Sequence, residues 1–212
     1  MIVICSTCAG VGNMSAWVER MAAIPGIAFS GSPGVVRKTL RGADDRPDER
    51  YGQAMWPTAG GSTSATPASQ HVPFEARGAE LAARVWEALE LPGSAMDYHF
   101  VLQAAVDRFW SERRSDPDGL RWVEVFALLD LELMEAAPQA VSFDSHGTAG
   151  GATFVRVSSV PRLISLLERE GAFGEALALA RRLARFEQGE DAVTRLLEKT
   201  GAFAAEAEVG PA

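Results

Sequence analysis

From Phe74 onward, apolar residues return every three or four positions, and that spacing commits this part of the chain to helices with one buried face. Ala79, Leu81, Ala82, Val85, Trp86 and Leu89 mark the first helix, and Pro92-Gly93 stops it. Ser94 stands three residues before Asp97, the form of a helix N-cap pair. The helix it opens places Tyr98, Leu102, Ala105 and Phe109 on one stripe and is expected to end near Arg113-Arg114. Cations there suit the negative end of the helix dipole. Asp116-Pro117 supplies an acceptor and then a residue that needs no amide hydrogen, so it starts a third helix, running to about Ala137. Leu120, Trp122, Val123, Val125, Phe126, Leu129, Leu133 and Met134 make this helix apolar nearly all round. Such a helix belongs in the middle of a bundle. Its acids Glu124, Glu132 and Glu135 fall near one edge.

A polar, glycine-rich connection follows from Pro138 to about Ser158. Further helices are expected over 159–170, 174–188 and 191–199, with Ala202 to Ala212 fraying. The chain before Phe74 reads differently. Residues 2–5 and 27–29 have the character of short strands, with a helical pattern from about Met14 to Ala23. From Ser30 to Gln70 the chain is dense in Gly, Ser, Pro, Thr and Arg, including Gly60-Gly61-Ser62-Thr63-Ser64. Such a stretch buries too little apolar area to offset its conformational entropy, which predicts a linker or disordered segment with Met55 and Trp56 isolated in it. The expected fold class is all-α. It comprises a helical bundle or degenerate helical hairpins over 74–205, a poorly ordered N-terminal region over 1–73 and a tail over 206–212.

Within residues 159–188, Leu163, Leu167, Gly171, Phe173, Ala176 and Leu177 stand at the spacing of a helical hairpin. Gly171 permits a tight turn, Phe173 covers it, and Ala176 is small enough for close helix approach. These residues resemble a tetratricopeptide-type (TPR-like) repeat hairpin. Ile164, Ala180 and Leu183 depart from that family's pattern, and no proline closes the unit. The resemblance implies a surface that binds a peptide or partner protein. Repeats of this kind bury a continuous core by stacking several copies, and residues 75–137 show no second clear copy.

Composition narrows the classes of function. The chain has 212 residues, of which 47% are hydrophobic and 23% charged, so it has the apolar content of a globular protein. Its net charge of −8 argues against nucleic acid as a partner, because phosphate backbones are bound through Lys and Arg. The densest basic stretch is Arg37, Lys38 and Arg41. No run approaches the roughly 18 apolar residues that a membrane span requires, so no membrane partner is expected. Met1-Ile2-Val3-Ile4-Cys5 has no basic region and too short an apolar stretch for a signal peptide, and a cytoplasmic location is expected.

Cys5 and Cys8 are the chain's two cysteines. Between an expected strand and an expected helix they occupy the position of a redox pair, since a helix N-terminus stabilises a thiolate. They would also serve as half of a zinc site, but the remaining soft ligands, His71, His99 and His146, are irregularly spaced. Otherwise they are two buried, inert thiols. Gly10-Val11-Gly12-Asn13-Met14-Ser15 has the form of a dinucleotide-binding turn with its third glycine replaced, but a lone motif of this type is common by chance and reads as a small-residue turn. Asp144, Ser145 and His146 are the residue types of a hydrolase triad, but triad members are brought together by folding rather than by adjacency. His99 is expected to be a partly buried structural residue, and Trp86, Trp110 and Trp122 to be core or groove-edge aromatics. The expected function is therefore binding of a protein or peptide partner, with no catalytic residue and no cofactor. The surface would be built from the 98–113, 117–137 and 159–188 helices. The alternative is a redox or metal-binding protein acting through Cys5 and Cys8.

Overall fold

Ser94 caps its helix in the manner its spacing predicts. Its hydroxyl accepts from the Asp97 amide at 3.2 Å, while its own amide donates to the Asp97 carboxylate at 2.8 Å. In the computed structural model, which describes residues 34–50, 52–143 and 153–208, that helix is one of seven α-helices. They are α1 (Pro67–Gln70), α2 (Gly78–Ala88), α3 (Ala95–Glu112), α4 (Leu120–Ala136), α5 (Ser159–Arg169), α6 (Phe173–Leu183) and α7 (Glu190–Glu208). The chain is predominantly helical, as expected. Pro117 starts a short 3-10 turn, and the α-helix proper begins at Leu120. The last helix runs past its expected end at Lys199.

The nearly all-apolar α4 lies at the centre. It packs on α3 and α5, and Val123, Phe126, Ala127, Leu129, Leu131, Leu133 and Met134 are all fully buried. Aromatic rings join three helices here. Phe126 meets Trp86 of α2 edge-on at 5.3 Å, Phe109 of α3 at 6.2 Å and Trp122 in a stack at 5.4 Å. Offset and edge-on pairs of this kind add about 0.5–1.5 kcal/mol each beyond their buried area. Tyr98 is buried with them, and its hydroxyl donates to the Leu91 carbonyl at 2.8 Å.

Residues 34–70 depart from the linker reading. They carry strands β1 (Asp48–Arg50), β2 (Gln53–Thr58) and β3 (Gly61–Thr63), paired antiparallel in the order β1-β2-β3, followed by α1. Trp56 is buried, and Ala43 and Ala68 join the helical core. The Arg37 guanidinium donates to the carbonyls of Ala43 and Glu90. Strands of three to six residues are too short to show a period, so turn-rich composition outweighed them in the sequence. The polar connection after α4 also has structure at both ends, where β4 (Ser142–Phe143) pairs antiparallel with β5 (Thr153–Phe154).

Pro92-Gly93 does more than stop α2. The Pro92 carbonyl accepts from the Ala68 amide at 3.0 Å, which brings α1 onto this turn. A Cβ on Gly93 would stand 2.8 Å from the Ala68 Cβ and 3.2 Å from the Tyr98 ring. Gly93→Ala is therefore expected to destabilise by about 1–3 kcal/mol through overpacking, measured by urea unfolding. Gly93→Ala combined with Ala68→Gly should recover part of that loss.

The C-terminal helix is tied down by charge. Glu168 of α5 accepts from Arg195 at 2.5 Å and Lys199 at 2.9 Å, both on α7. The Arg195 hydrogen bond is the main influence that holds its carboxyl below the ordinary 4.5, against burial, with help from Lys199. A lowered acid stabilises the fold above its unfolded value and loses that contribution as pH falls through the folded one. Glu168→Gln should thus lower stability by about 1 kcal/mol at pH 7. In thermal melts the variant and parent should converge as pH drops below 4.5.

Candidate functional site

Gly171 and Ala172 turn the chain between α5 and α6, with Gly171 at a φ of +76° that favours glycine. The Ala172 amide donates to the Leu167 carbonyl at 2.9 Å, closing α5. Ala176 and Ala180 are fully buried where the two helices meet, and Leu163 and Ile164 supply the apolar face of α5. The hairpin then leans on α4. Arg182 of α6 forms a fork with Glu135 of α4 through bonds of 2.9 and 2.8 Å. Glu132 lies beside this pair, and burial holds its carboxyl above the ordinary value.

Between α4 and the hairpin runs a groove of about 650 Å³. Leu128 of α4, Leu163 and Leu167 of α5, and Ala178 and Leu179 of α6 give it an apolar floor. Glu124, Glu170 and Glu175 are its acids, and among the described residues no lysine or arginine lines it. None of these three carboxylates pairs with a cation among the described residues. The volume falls within the roughly 300–1,000 Å³ of clefts that hold ligands. An apolar floor beneath uncompensated negative charge suits a segment that is apolar on one side and basic at its edges.

The acids near one edge of α4 have separate fates. Glu124 enters the groove, whereas Glu132 and Glu135 face Arg182. The sequence reading missed Glu170 and Glu175 as groove residues. Their signal is faint, since a glutamate beside a turn is ordinary in any helical hairpin. Of the three helical segments named for the expected surface, 117–137 and 159–188 line this groove and 98–113 does not.

A second constellation is entirely buried. His99 of α3, Asp130 of α4 and Ser159 of α5 are each inaccessible to solvent. His99 Nδ1 lies 2.7 Å from Asp130 Oδ1, and the Ser159 hydroxyl donates to Oδ2. His99 Nε2 is buried without a hydrogen-bond partner among the described residues. The histidine was expected to be partly buried; it is fully enclosed, because Asp130 compensates its polarity. The residue types match a hydrolase triad, but the connectivity does not. Asp130 holds the serine and the histidine on separate oxygens, so the imidazole is not positioned to take the serine proton. With no route for solvent, this cluster orients three helices. Its signal in the sequence was one carboxylate, Asp130, in the middle of an apolar helix.

The remaining candidates fall elsewhere. Cys5, Cys8, the Gly10–Ser15 turn and Asp144-Ser145-His146 lie outside the described residues. His71 pairs with Glu87 at 2.7 Å on α2. Among the described residues, no group of three or more His, Cys, Asp or Glu is placed to hold a metal ion. No described helix is long and apolar enough to cross a membrane. Trp86 and Trp122 sit in the aromatic core, and Trp110 joins the hydrophobic core with the Arg113 guanidinium over its ring. Comparison with family models, with curated proteins and with solved structures gives no match for this chain.

The buried cluster has a measurable weight. Asp130→Ala leaves His99 and Ser159 buried without their acceptor and is expected to cost about 3–5 kcal/mol in urea unfolding. Ser159→Ala removes one of two bonds to the carboxylate and should cost about 1–3 kcal/mol.

Proposed function

We propose that this chain is a binding module without catalytic activity, and that it holds an apolar, basic-edged segment of a partner protein. The proposed occupant is an amphipathic helix in the groove between α4 and the α5–α6 hairpin. The groove's charge is the observation that carries this reading: among the described residues, three glutamates without an ion-pair partner surround a leucine floor and no cation lines it. Helix-in-groove recognition places apolar anchors at i, i+3 or i+4 and i+7 on such a floor. Basic residues flanking those anchors would meet Glu124, Glu170 and Glu175. The TPR-like hairpin resemblance at 159–188 supports the same class of partner, and the cytoplasm is the proposed location. A redox or metal role for Cys5 and Cys8 is the alternative reading.

A photo-crosslinking residue at Ala178, on the groove wall, tests this directly, with one at Thr58 of β2 as the control site. In native lysate, Ala178 should cross-link a segment carrying net positive charge and apolar residues at helical spacing. Leu167→Glu, with folding verified by circular dichroism, should weaken binding of that segment as a synthetic peptide by tenfold or more, about 1.4 kcal/mol. Glu170→Lys with Glu175→Lys should also weaken it, most at low salt. An acidic captured segment, or equal capture at Thr58, would overturn the proposal.

A further inference from the structure

Trp110, near the end of α3, is only 7% exposed. It belongs to the hydrophobic core, yet three arginines also gather on its ring. The guanidinium carbons of Arg113, Arg169 and Arg162 lie 4.5, 5.1 and 5.7 Å from its ring centroid. They arrive from separate places, Arg113 from the end of α3 and the other two from opposite ends of α5. Arg114 is close enough to repel Arg113 as well. This convergence occurs on a chain whose net charge is −8.

Among the described residues, one carboxylate forms an ion pair with these cations. Asp107 lies 3.3 Å from Arg162 and also accepts from the Ser158 hydroxyl at 2.8 Å. Arg113 donates to the Trp110 carbonyl at 2.5 Å, which neutralises nothing. Neither Arg113, Arg114 nor Arg169 forms an ion pair with any described residue. Arg113 is held below the ordinary arginine range, first by lost hydration and then by repulsion from Arg169, Arg114 and Arg162. A cation over an indole face gains from the ring's quadrupole. It spends none of its N–H donors there, and a guanidinium has five.

We propose that Arg113, Arg162 and Arg169, gathered on Trp110, form a binding site for a phosphate group. A carboxylate satisfies one guanidinium fork. Three guanidiniums brought to one ring from two helices instead offer enough donors for a tetrahedral dianion with several acceptor oxygens. Trp110 acts as the platform that holds the guanidiniums in place while their donors stay available. This site uses the α3-facing side of α5 and does not depend on the groove on its other flank. The phosphate is either carried on a protein side chain or free in solution.

The test is isothermal titration of the full chain at 0.15 M NaCl with two probes, inorganic phosphate and N-acetyl-phosphoserine amide. Saturable binding is expected with a Kd of about 1 mM or tighter for at least one probe. Arg113→Gln and Arg169→Gln should each weaken it tenfold or more, while Arg181→Gln on α6 should leave it unchanged. Thermal melts of the variants confirm that folding is retained. Tighter binding of the phosphoserine derivative identifies a phosphorylated protein as the source, and tighter binding of inorganic phosphate identifies a small ligand. The proposal is overturned if neither probe saturates. It is also overturned if Arg113→Gln and Arg169→Gln both bind like the parent.

Discussion

Asp130 sets the frame of this protein. It is a carboxylate in the middle of the most apolar helix, fully withdrawn from water. Burying such a group without hydrogen-bonded partners costs several kcal/mol, so the fold has to bring donors to it. His99 arrives from α3 and Ser159 from the first turn of α5. One residue thereby fixes how two helices are rotated and how far they are slid along a third. Apolar packing alone tolerates small shifts of that kind, whereas hydrogen-bond geometry does not.

The consequences spread along α5. With Ser159 turned inward, Leu163 falls one turn later on the same buried face, toward α4 and the hairpin partner. Arg162 and Arg169 are two turns apart and share another side, directed at Trp110 on α3. Leu163, Leu167 and Glu170 lie toward the groove. A single short helix therefore separates a negatively charged apolar cleft from a cluster of arginines. The overall charge of −8 conceals this division, because net charge is a sum and binding depends on local arrangement.

The segment before α2 is attached by a different logic. It contributes small residues rather than large ones to the core, with Ala43 and Ala68 fitting against the turn at Pro92-Gly93. Backbone acceptors make up for the modest apolar area: Arg37 reaches two carbonyls, and Ala68 donates to a third. At the other end of the chain, Glu168 holds α7 through two cations. The periphery is thus fastened by polar contacts around a centre fastened by aromatic and aliphatic packing.

Local sequence determined the elements whose cause is local. The three-to-four spacing in Phe74–Ala137 marked α2, α3 and α4, Ser94 and Asp97 fixed the start of α3, and Gly171 fixed the hairpin turn, since caps and turns act within a few residues. It also identified the central helix, because a helix apolar on all sides has to be surrounded. The tertiary structure decided what depends on residues far apart in the chain. Nothing in the sequence pairs His99 with Asp130 and Ser159, or sets Arg162 and Arg169 against Trp110. The short strands of 48–63 gained their regularity from pairing with each other, since three residues are too few to carry a period. Glu124 joins Glu170 and Glu175 around one cleft only because α4 and the hairpin pack side by side. Periodicity states which face of a helix is buried, and the hydrogen bonds and charges of its neighbours decide what that face meets.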